Sequence, residues 1–244
     1  MMKRELLYLL AAIFTLSLCV LGCSKEDGEK SNSIKEDDGV NRPLIVVSVN
    51  GDISVGNFVD GTVATVTFSR FPATIKDWKQ VREQIGETIL GAVVLQIMAG
   101  ELYRNNTAHG AECMKLNNIS NQHARYTQLL KDALRTRPYQ LAAFLSGSSW
   151  DNGYNPTKPY TIEFHVTPTS NKSYSNDYQT DIYKFFIKSN GHEINSGLQP
   201  VSVMKTAKPS EPGEGGMYYI IFESSSIYLQ CKEKSFMVDF NGLD

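Results

Sequence analysis

Residues 74–103 read TIKDWKQVREQIGETILGAVVLQIMAGELY. Apolar side chains recur in this stretch at intervals of three to four residues, which is the period of an α-helix. Thr74 stands where a helix N-cap is expected, and Asp77 occupies the third helical position, as in a capping box. The pattern predicts one long helix from Thr74 to about Tyr103, with an inward stripe formed by Ile75, Trp78, Val81, Ile85, Ile89, Val93 and Ile97.

The second half of this predicted helix, residues 89–99, is apolar on nearly every side, with Gln96 as the polar exception. A helix that is apolar all round is buried against more than one neighbour. These residues are too few to cross a bilayer, which needs about 20. The stretch is therefore predicted to lie in the centre of a globular core.

Alternating apolar residues on both sides of the helical region predict β-strands. Residues 44–55 carry Asn50-Gly51 between two alternating runs, which predicts a hairpin with a type I′ turn. A third strand follows, with Ala64, Val66 and Phe68 on one face. After the helical region, strands are predicted at residues 160–166, 182–188, 201–206, 217–223 and 227–231.

Two more helices are predicted, at residues 120–136 and, as a short element, at residues 138–145, after the polar stretch 105–118. Strands, then helices, then strands without βαβ alternation predict an α+β fold. We expect an antiparallel sheet packed on one face by two or three helices, with an N-terminal β-hairpin region. One domain would cover residues 43–244, divided into strands (43–72), helices (73–146) and antiparallel strands (147–244).

The first residues resemble the signal peptide of a bacterial lipoprotein. Lys3 and Arg4 precede an apolar run that is shorter than a membrane span. Val20-Leu21-Gly22-Cys23 resembles a lipobox, in which a small residue precedes the cysteine that receives the lipid. Cys19 is the poorer acceptor because bulky Leu18 precedes it. The resemblance implies that residues 1–22 are removed and that Cys23 anchors the mature protein in a membrane.

Residues 23–42 are nearly all charged or small, which predicts a disordered tether. Ser24 after the cysteine resembles the pattern of lipoproteins sent to the outer membrane, and Lys25-Glu26-Asp27 resembles an acidic tag for surface export in some Gram-negative lineages. The expected location is the outer membrane, facing the periplasm or the cell surface. Cleavage removes Lys3, Arg4 and Glu5, so the net charge goes from −2 to −3. We expect no nucleic-acid partner, because no basic excess remains.

Several separated motifs between residues 75 and 232 resemble an uncharacterised bacterial domain family. They are Arg137-Pro138-Tyr139, Asn152-Gly153-Tyr154-Asn155-Pro156, Pro159-Tyr160-Thr161-Ile162, the strand at residues 184–191 and the run at residues 222–229. The Gly-Glu-Gly-Gly loop at residues 213–216 and the strands before residue 70 depart from that pattern. The resemblance implies an α+β fold and brings no catalytic residues with it.

The segment at residues 150–160 is the candidate binding site. Trp150, Tyr154 and Tyr160 place three aromatic rings beside Asp151 and Asn152, a combination that suits sugars or extended peptides. The alternative is a structural turn, because Asn and Gly tolerate positive φ and Pro156 and Pro159 stiffen its exit.

Cys113 and Cys231 leave two states open. They could form a disulfide in an oxidising envelope. Equally, Cys231, in register with Ile227 and Leu229, could be a buried free thiol.

The sequence contains no recognisable constellation of catalytic residues. His192-Glu193 would need a second histidine at position 196 for a zinc protease helix, and Ser196 is there. The segment at residues 147–151 has Asp151 where a nucleophile elbow requires glycine. We therefore expect no metal, no cofactor and a non-catalytic module that binds a glycan, a peptide or an envelope protein. The alternatives are an envelope hydrolase using Asp151, Glu163 or Glu193, and a scaffold subunit of an outer-membrane complex.

Overall fold

Seven β-strands in one sheet and four α-helices make up the part of the chain described by the computed structural model, which is residues 34–192, 197–206, 218–229 and 231–243. The helices are α1 (Ile75–Ile85), α2 (Ile89–Asn105), α3 (Thr107–Asn117) and α4 (His123–Thr136). The strands are β1 (Val47–Asn50), β2 (Val63–Phe68), β3 (Tyr160–His165), β4 (Asn171–Ser175), β5 (Thr180–Lys188), β6 (Leu198–Lys205) and β7 (Tyr219–Glu223). The predicted α+β class is confirmed.

The sheet has the order β1-β2-β3-β5-β6-β7, and each neighbouring pair is antiparallel. The strand β4, which the sequence did not predict, pairs with the first half of β5. Side chains alternate between the two faces, so Val66 and Ile162, which lie opposite each other on β2 and β3, are both fully buried. This alternation defines the face of the sheet that packs against the helices.

An N-terminal hairpin is present, but β1 pairs with the strand that was predicted as the third, and residues 53–55, predicted as the second arm, form no strand. β1 ends at Asn50 and pairs with β2, across a loop of residues 51–62. Gly51 has a φ of +87°, but Asn50 lacks the positive φ that a type I′ turn also requires, and residues 52–62 are not part of the sheet. Ile53 is buried, and the ring of Phe58 lies 5.5 Å from that of Tyr183 on β5. Burial of these two loop side chains outweighs the local preference for a tight turn.

The predicted long helix is two helices. The amide of Gly86 donates to the carbonyl of Arg82 at the end of α1, and Thr88 begins α2 by accepting a hydrogen bond from the amide of Gly91. The amide of Tyr219 on β7 donates to the carbonyl of Gly86 at the break. The apolar period continues across the break, which explains why the sequence pattern concealed it.

Helix α2 is the centre of the core, as its composition predicted. All residues from Ile89 to Leu102 are buried. Gln96 is stabilised by a buried network, in which its side-chain amide donates to the hydroxyl of Tyr228 and its carbonyl accepts from Asn117 and Asn118. No described helix is long and apolar enough to span a membrane.

Two other local predictions are wrong, and one helix was not predicted. The polar stretch at residues 105–118 contains α3, whose Gly110 lets the backbone approach Tyr103 closely. Residues 138–145 contain a short 3₁₀ turn, Ala142–Phe144, in place of the expected helix. A second 3₁₀ turn, Ser225–Tyr228, overlaps the start of residues 227–231, where a strand was expected. Each of these segments is buried mainly by its neighbours in space, so its own periodicity is weak.

Both cysteines of the folded part are buried free thiols. Burial raises the pKa of Cys231 to about 11 and that of Cys113 well above its ordinary value. The disulfide alternative is therefore excluded in this structure.

The predicted tether falls mostly outside the described residues, which begin at Ile34. Its last part lies against α1, where Asp37 pairs with Lys76 at 2.7 Å and Glu36 pairs with Lys79 at 2.9 Å. Cys23 and the rest of the lipobox also lie outside the described residues.

Candidate functional site

The turn at residues 147–155 is organised by the side chain of Asn152. Its carbonyl oxygen accepts hydrogen bonds from the amides of Ser149 and Asn155. Its side-chain nitrogen donates to the carbonyls of Gly147 and Asn155. All of these contacts are internal to the turn, so the side chain of Asn152 stabilises the conformation of the turn.

Tyr154 and Tyr160 are buried on the inner side of this segment. Tyr154 has a φ of +59°, stacks on Tyr139 and donates its hydroxyl proton to the carbonyl of Lys232 over 2.7 Å. The ring of Tyr160 lies 5.5 Å from Phe68 and 5.0 Å from Phe71. Both tyrosines fasten the turn to the core, and neither presents its ring at the surface.

Trp150 and Asp151 are the two predicted site residues that face solvent. The indole of Trp150 is 43% exposed, and the ammonium of Lys232 lies 4.1 Å from the ring centroid. The carboxylate of Asp151 accepts a short hydrogen bond from the hydroxyl of Ser149, which is the main reason why its pKa is lowered. Asp151 therefore carries a negative charge at neutral pH beside the cation over Trp150.

The C-terminal segment docks on this turn. The amide of Ser235 donates to the carbonyl of Trp150 over 2.7 Å, and the side chain of Asn155 donates to the carbonyl of Asp239 over 2.8 Å. Next to Ser235, Phe236 and Met237 are 91% and 76% exposed. We call the set Trp150, Lys232, Phe236 and Met237 the Trp150 surface.

Of the four residues of this surface, only Trp150 was predicted from the sequence. Phe236 and Met237 lie in the C-terminal run KEKSFMVDFNGLD, where neither helical nor strand periodicity marks them. Only tertiary contacts, such as the hydrogen bonds from Ser235 to Trp150 and from Asn155 to Asp239, show that the two segments meet. The five predicted binding residues thus divide into an exposed pair, Trp150 and Asp151, and a structural set, Asn152, Tyr154 and Tyr160.

The carboxylates considered for hydrolysis have separate partners. Asp151 bonds to Ser149, whereas an oxygen of Glu163 lies 2.6 Å from Nε2 of His165 on the same strand. Glu193 lies outside the described residues. Within the described ranges, no group of three or more His, Cys, Asp and Glu side chains could hold a metal ion.

Comparison with known proteins identifies one family. The sequence profile of a domain of unknown function, DUF6935, matches residues 70–235. The match runs from just before α1 to Ser235, and it includes Trp150 and Lys232. No curated protein and no solved structure matches the chain.

Proposed function

The chain belongs to the DUF6935 family, and we propose that it is a lipid-anchored envelope protein that binds a peptide or protein partner through the Trp150 surface, without catalysis. The observation that carries the binding proposal is the exposure of Trp150, Phe236 and Met237 on two segments that are hydrogen-bonded to each other. Tryptophan, phenylalanine and methionine are enriched in protein interfaces, where tryptophan often contributes most of the binding energy.

The rigidity of the turn supports this role. Asn152 fixes the turn through four hydrogen bonds, and Tyr154 fastens it to the core. A side chain that is already held in place loses less conformational entropy on binding than one on a mobile loop. The Trp150 surface is therefore suited to recognition.

A peptide fits the exposed groups better than a glycan. Phe236 and Met237 carry no polar group that could bond to sugar hydroxyls. The ammonium of Lys232 already lies over the Trp150 ring, where a sugar would otherwise stack. A partner with apolar side chains would match Trp150, Phe236 and Met237, and glycans are the alternative ligand.

The anchor proposal rests on the sequence of residues 1–23. The apolar run and Val20-Leu21-Gly22-Cys23 support cleavage before Cys23 and its acylation. More than one acyl chain is needed for stable attachment, which this kind of lipidation supplies. We propose the outer membrane, on its periplasmic or external face, as the location.

Site-specific photocrosslinking tests the binding proposal. A photoreactive phenylalanine derivative in place of Phe236, in cells that make the full chain, should give a defined protein adduct, and Trp150→Ala should remove it. The matched control is the same probe in place of Tyr174, an aromatic residue on β4 that is 57% exposed. Equal adducts at both positions, or an adduct that survives Trp150→Ala, would refute the proposal.

A glycan array and a substrate screen with the purified protein complete this test. We expect no glycan bound and no substrate turned over. Glycan binding that Trp150→Ala removes would assign the surface to sugars, and turnover would replace the binding proposal with an enzymatic one.

Mass spectrometry of the native protein tests the anchor separately. We expect an acylated N-terminal Cys23, and Cys23→Ser should leave an unacylated precursor that keeps residues 1–22. Cys19→Ser is the matched control and should leave acylation unchanged. A processed chain that begins at another residue would refute this part.

A further inference from the structure

Exposed aliphatic side chains surround the first strand of the sheet. Leu44 and Val46, just before β1, are both 67% exposed, and Val49 within it is 47% exposed. β1 lies at the end of the strand order, so one of its edges has no neighbouring strand among the described residues. An edge strand with uncovered aliphatic residues is a template for pairing with another strand.

The direction of the free main-chain groups follows from one hydrogen bond. The amide of Ser69 donates to the carbonyl of Val46. Because residues of an antiparallel pair alternate in direction, the main-chain groups of Ser48 face β2, whereas those of Val47 and Val49 face away from the sheet. The outward carbonyl of Ile45 already accepts a hydrogen bond from the side chain of Gln84, so the open part of the edge begins at Val47.

A cavity lies beside the same part of β1. Its volume is about 310 Å³, and its apolar lining is Val49, Ile53, Val55, Ile89, Leu90 and Tyr219. This volume is at the lower end of the range of ligand pockets, roughly 300–1,000 Å³. Val49 therefore belongs both to the open edge and to the lining of the cavity.

We propose that β1 binds an extended peptide segment as an added β-strand, with one large apolar side chain of that segment in the cavity. The outward groups of Val47 and Val49 hydrogen-bond to the peptide backbone. Side chains of the added strand alternate between faces, so the residue beside Val49 points into the cavity and its two neighbours point away from it. Main-chain bonds supply affinity and the cavity selects the side chain, which is the division of roles in β-strand addition.

The cavity wall and the edge specify the occupant. Only an extended backbone satisfies main-chain groups that alternate along a strand edge. The apolar lining requires a large aliphatic or aromatic residue. Asp52 and Glu87 also line the cavity and disfavour an acidic residue there, although Lys205 lies at the same site. This site lies on elements separate from the Trp150 surface and does not depend on the proposed function.

Selection from a phage library of random linear peptides of about seven residues tests this inference. We expect enriched sequences with one conserved large apolar position and alternating neighbours. Synthetic copies should bind at least tenfold more weakly to Val49→Pro, because proline removes the outward amide while β1 keeps its bonds to β2. Methylation of alternate backbone nitrogens in the peptide should weaken its binding to the unaltered protein in the same way. This second measurement tests the inference even if Val49→Pro does not fold.

Val55 and Val59 give a matched pair for the cavity. They are 51% and 57% exposed, but only Val55 lines the cavity. Val55→Asp should weaken peptide binding at least tenfold, and Val59→Asp and Trp150→Ala should leave it unchanged. Absence of enriched peptides, or equal binding to the unaltered protein, Val49→Pro and Val55→Asp, would overturn the inference. A dimer that Val49→Pro converts to a monomer would overturn it in favour of pairing between two copies of the chain.

Discussion

The ring of Tyr154 stacks on the ring of Tyr139, with centroids 4.9 Å apart and ring planes 5° from parallel. The hydroxyl of Tyr154 donates a hydrogen bond to the backbone carbonyl of Lys232. The side-chain ammonium of Lys232 lies over the ring of Trp150. A buried tyrosine pair thus positions the exposed cation and indole of the Trp150 surface.

Shortening Tyr154 should separate its two contributions to stability. Tyr154→Phe keeps the stack and removes the hydrogen bond, so we expect a loss of about 1 kcal/mol in the free energy of unfolding. Tyr154→Ala also removes the ring and should cost about 3 to 5 kcal/mol. Urea denaturation measures both, with exposed Tyr174→Phe as the control. Equal stability of Tyr154→Phe and the unaltered protein would show that the hydroxyl contributes nothing.

The ionised carboxylate of Asp77 should stabilise the fold at neutral pH, and this contribution to the free energy of unfolding should be lost in acid. Burial acts to raise its pKa, but hydrogen bonds from Arg70 and from the amide of Ala73 outweigh it and lower the pKa below the ordinary value of 3.8. The stabilisation is therefore complete above about pH 4 and is lost as the pH falls through the folded-state pKa. Asp77→Asn should cost about 1 kcal/mol at pH 7, a difference that shrinks in acid.

Denaturation at pH 7 and at about pH 3 measures this difference. The control is Asp181→Asn, in an exposed pair with Lys172, which should change stability by less than about 0.5 kcal/mol at either pH. If Asp77→Asn lowered the free energy of unfolding more at about pH 3 than at pH 7, the ionised Asp77 carboxylate would not be the source of the stabilisation.

Gly110 should not tolerate a side chain. A Cβ placed there would lie 2.1 Å from the backbone nitrogen of Tyr103, so α2 and α3 would have to move apart. We expect Gly110→Ala to cost about 3 kcal/mol. The matched control is Gly56→Ala, because a Cβ at Gly56 meets its nearest atom only at 4.0 Å. Thermal or urea unfolding compares them, and similar stabilities would mean that the helices are not in close contact.

Thr88 should be required for the start of α2. Its hydroxyl accepts the hydrogen bond from the amide of Gly91. Thr88→Ala should cost about 1 kcal/mol, and Thr88→Ser should keep most of that stability because serine retains the hydroxyl. If urea denaturation shows the same loss in the free energy of unfolding for both variants, the stabilisation comes from the methyl group of Thr88 and not from its hydroxyl cap.

The candidate site shows where sequence reasoning reached its limit. Trp150, Asp151, Asn152, Tyr154 and Tyr160 lie close together in the chain, yet they divide between surface and interior. Asn152 and Tyr154 look the same in sequence whether they bind a ligand or hold a turn. The role of Asn152 depends on the folded shape of its own turn. The role of Tyr154 depends on the Tyr139 ring and on the carbonyl of Lys232, which is 78 residues away.

The sequence by itself determined the α+β class, the buried character of α2 and the alternation of β2 and β3. These features follow from local periodicity, because apolar residues must share one face of a strand or surround a central helix to leave water. Only the tertiary structure decided that the first helix breaks at Gly86, that residues 51–62 leave the sheet, and that the segment carrying Phe236 and Met237 is hydrogen-bonded to Trp150. Those outcomes depend on contacts between segments distant in the chain, whose burial outweighs local preference and leaves no period in the sequence.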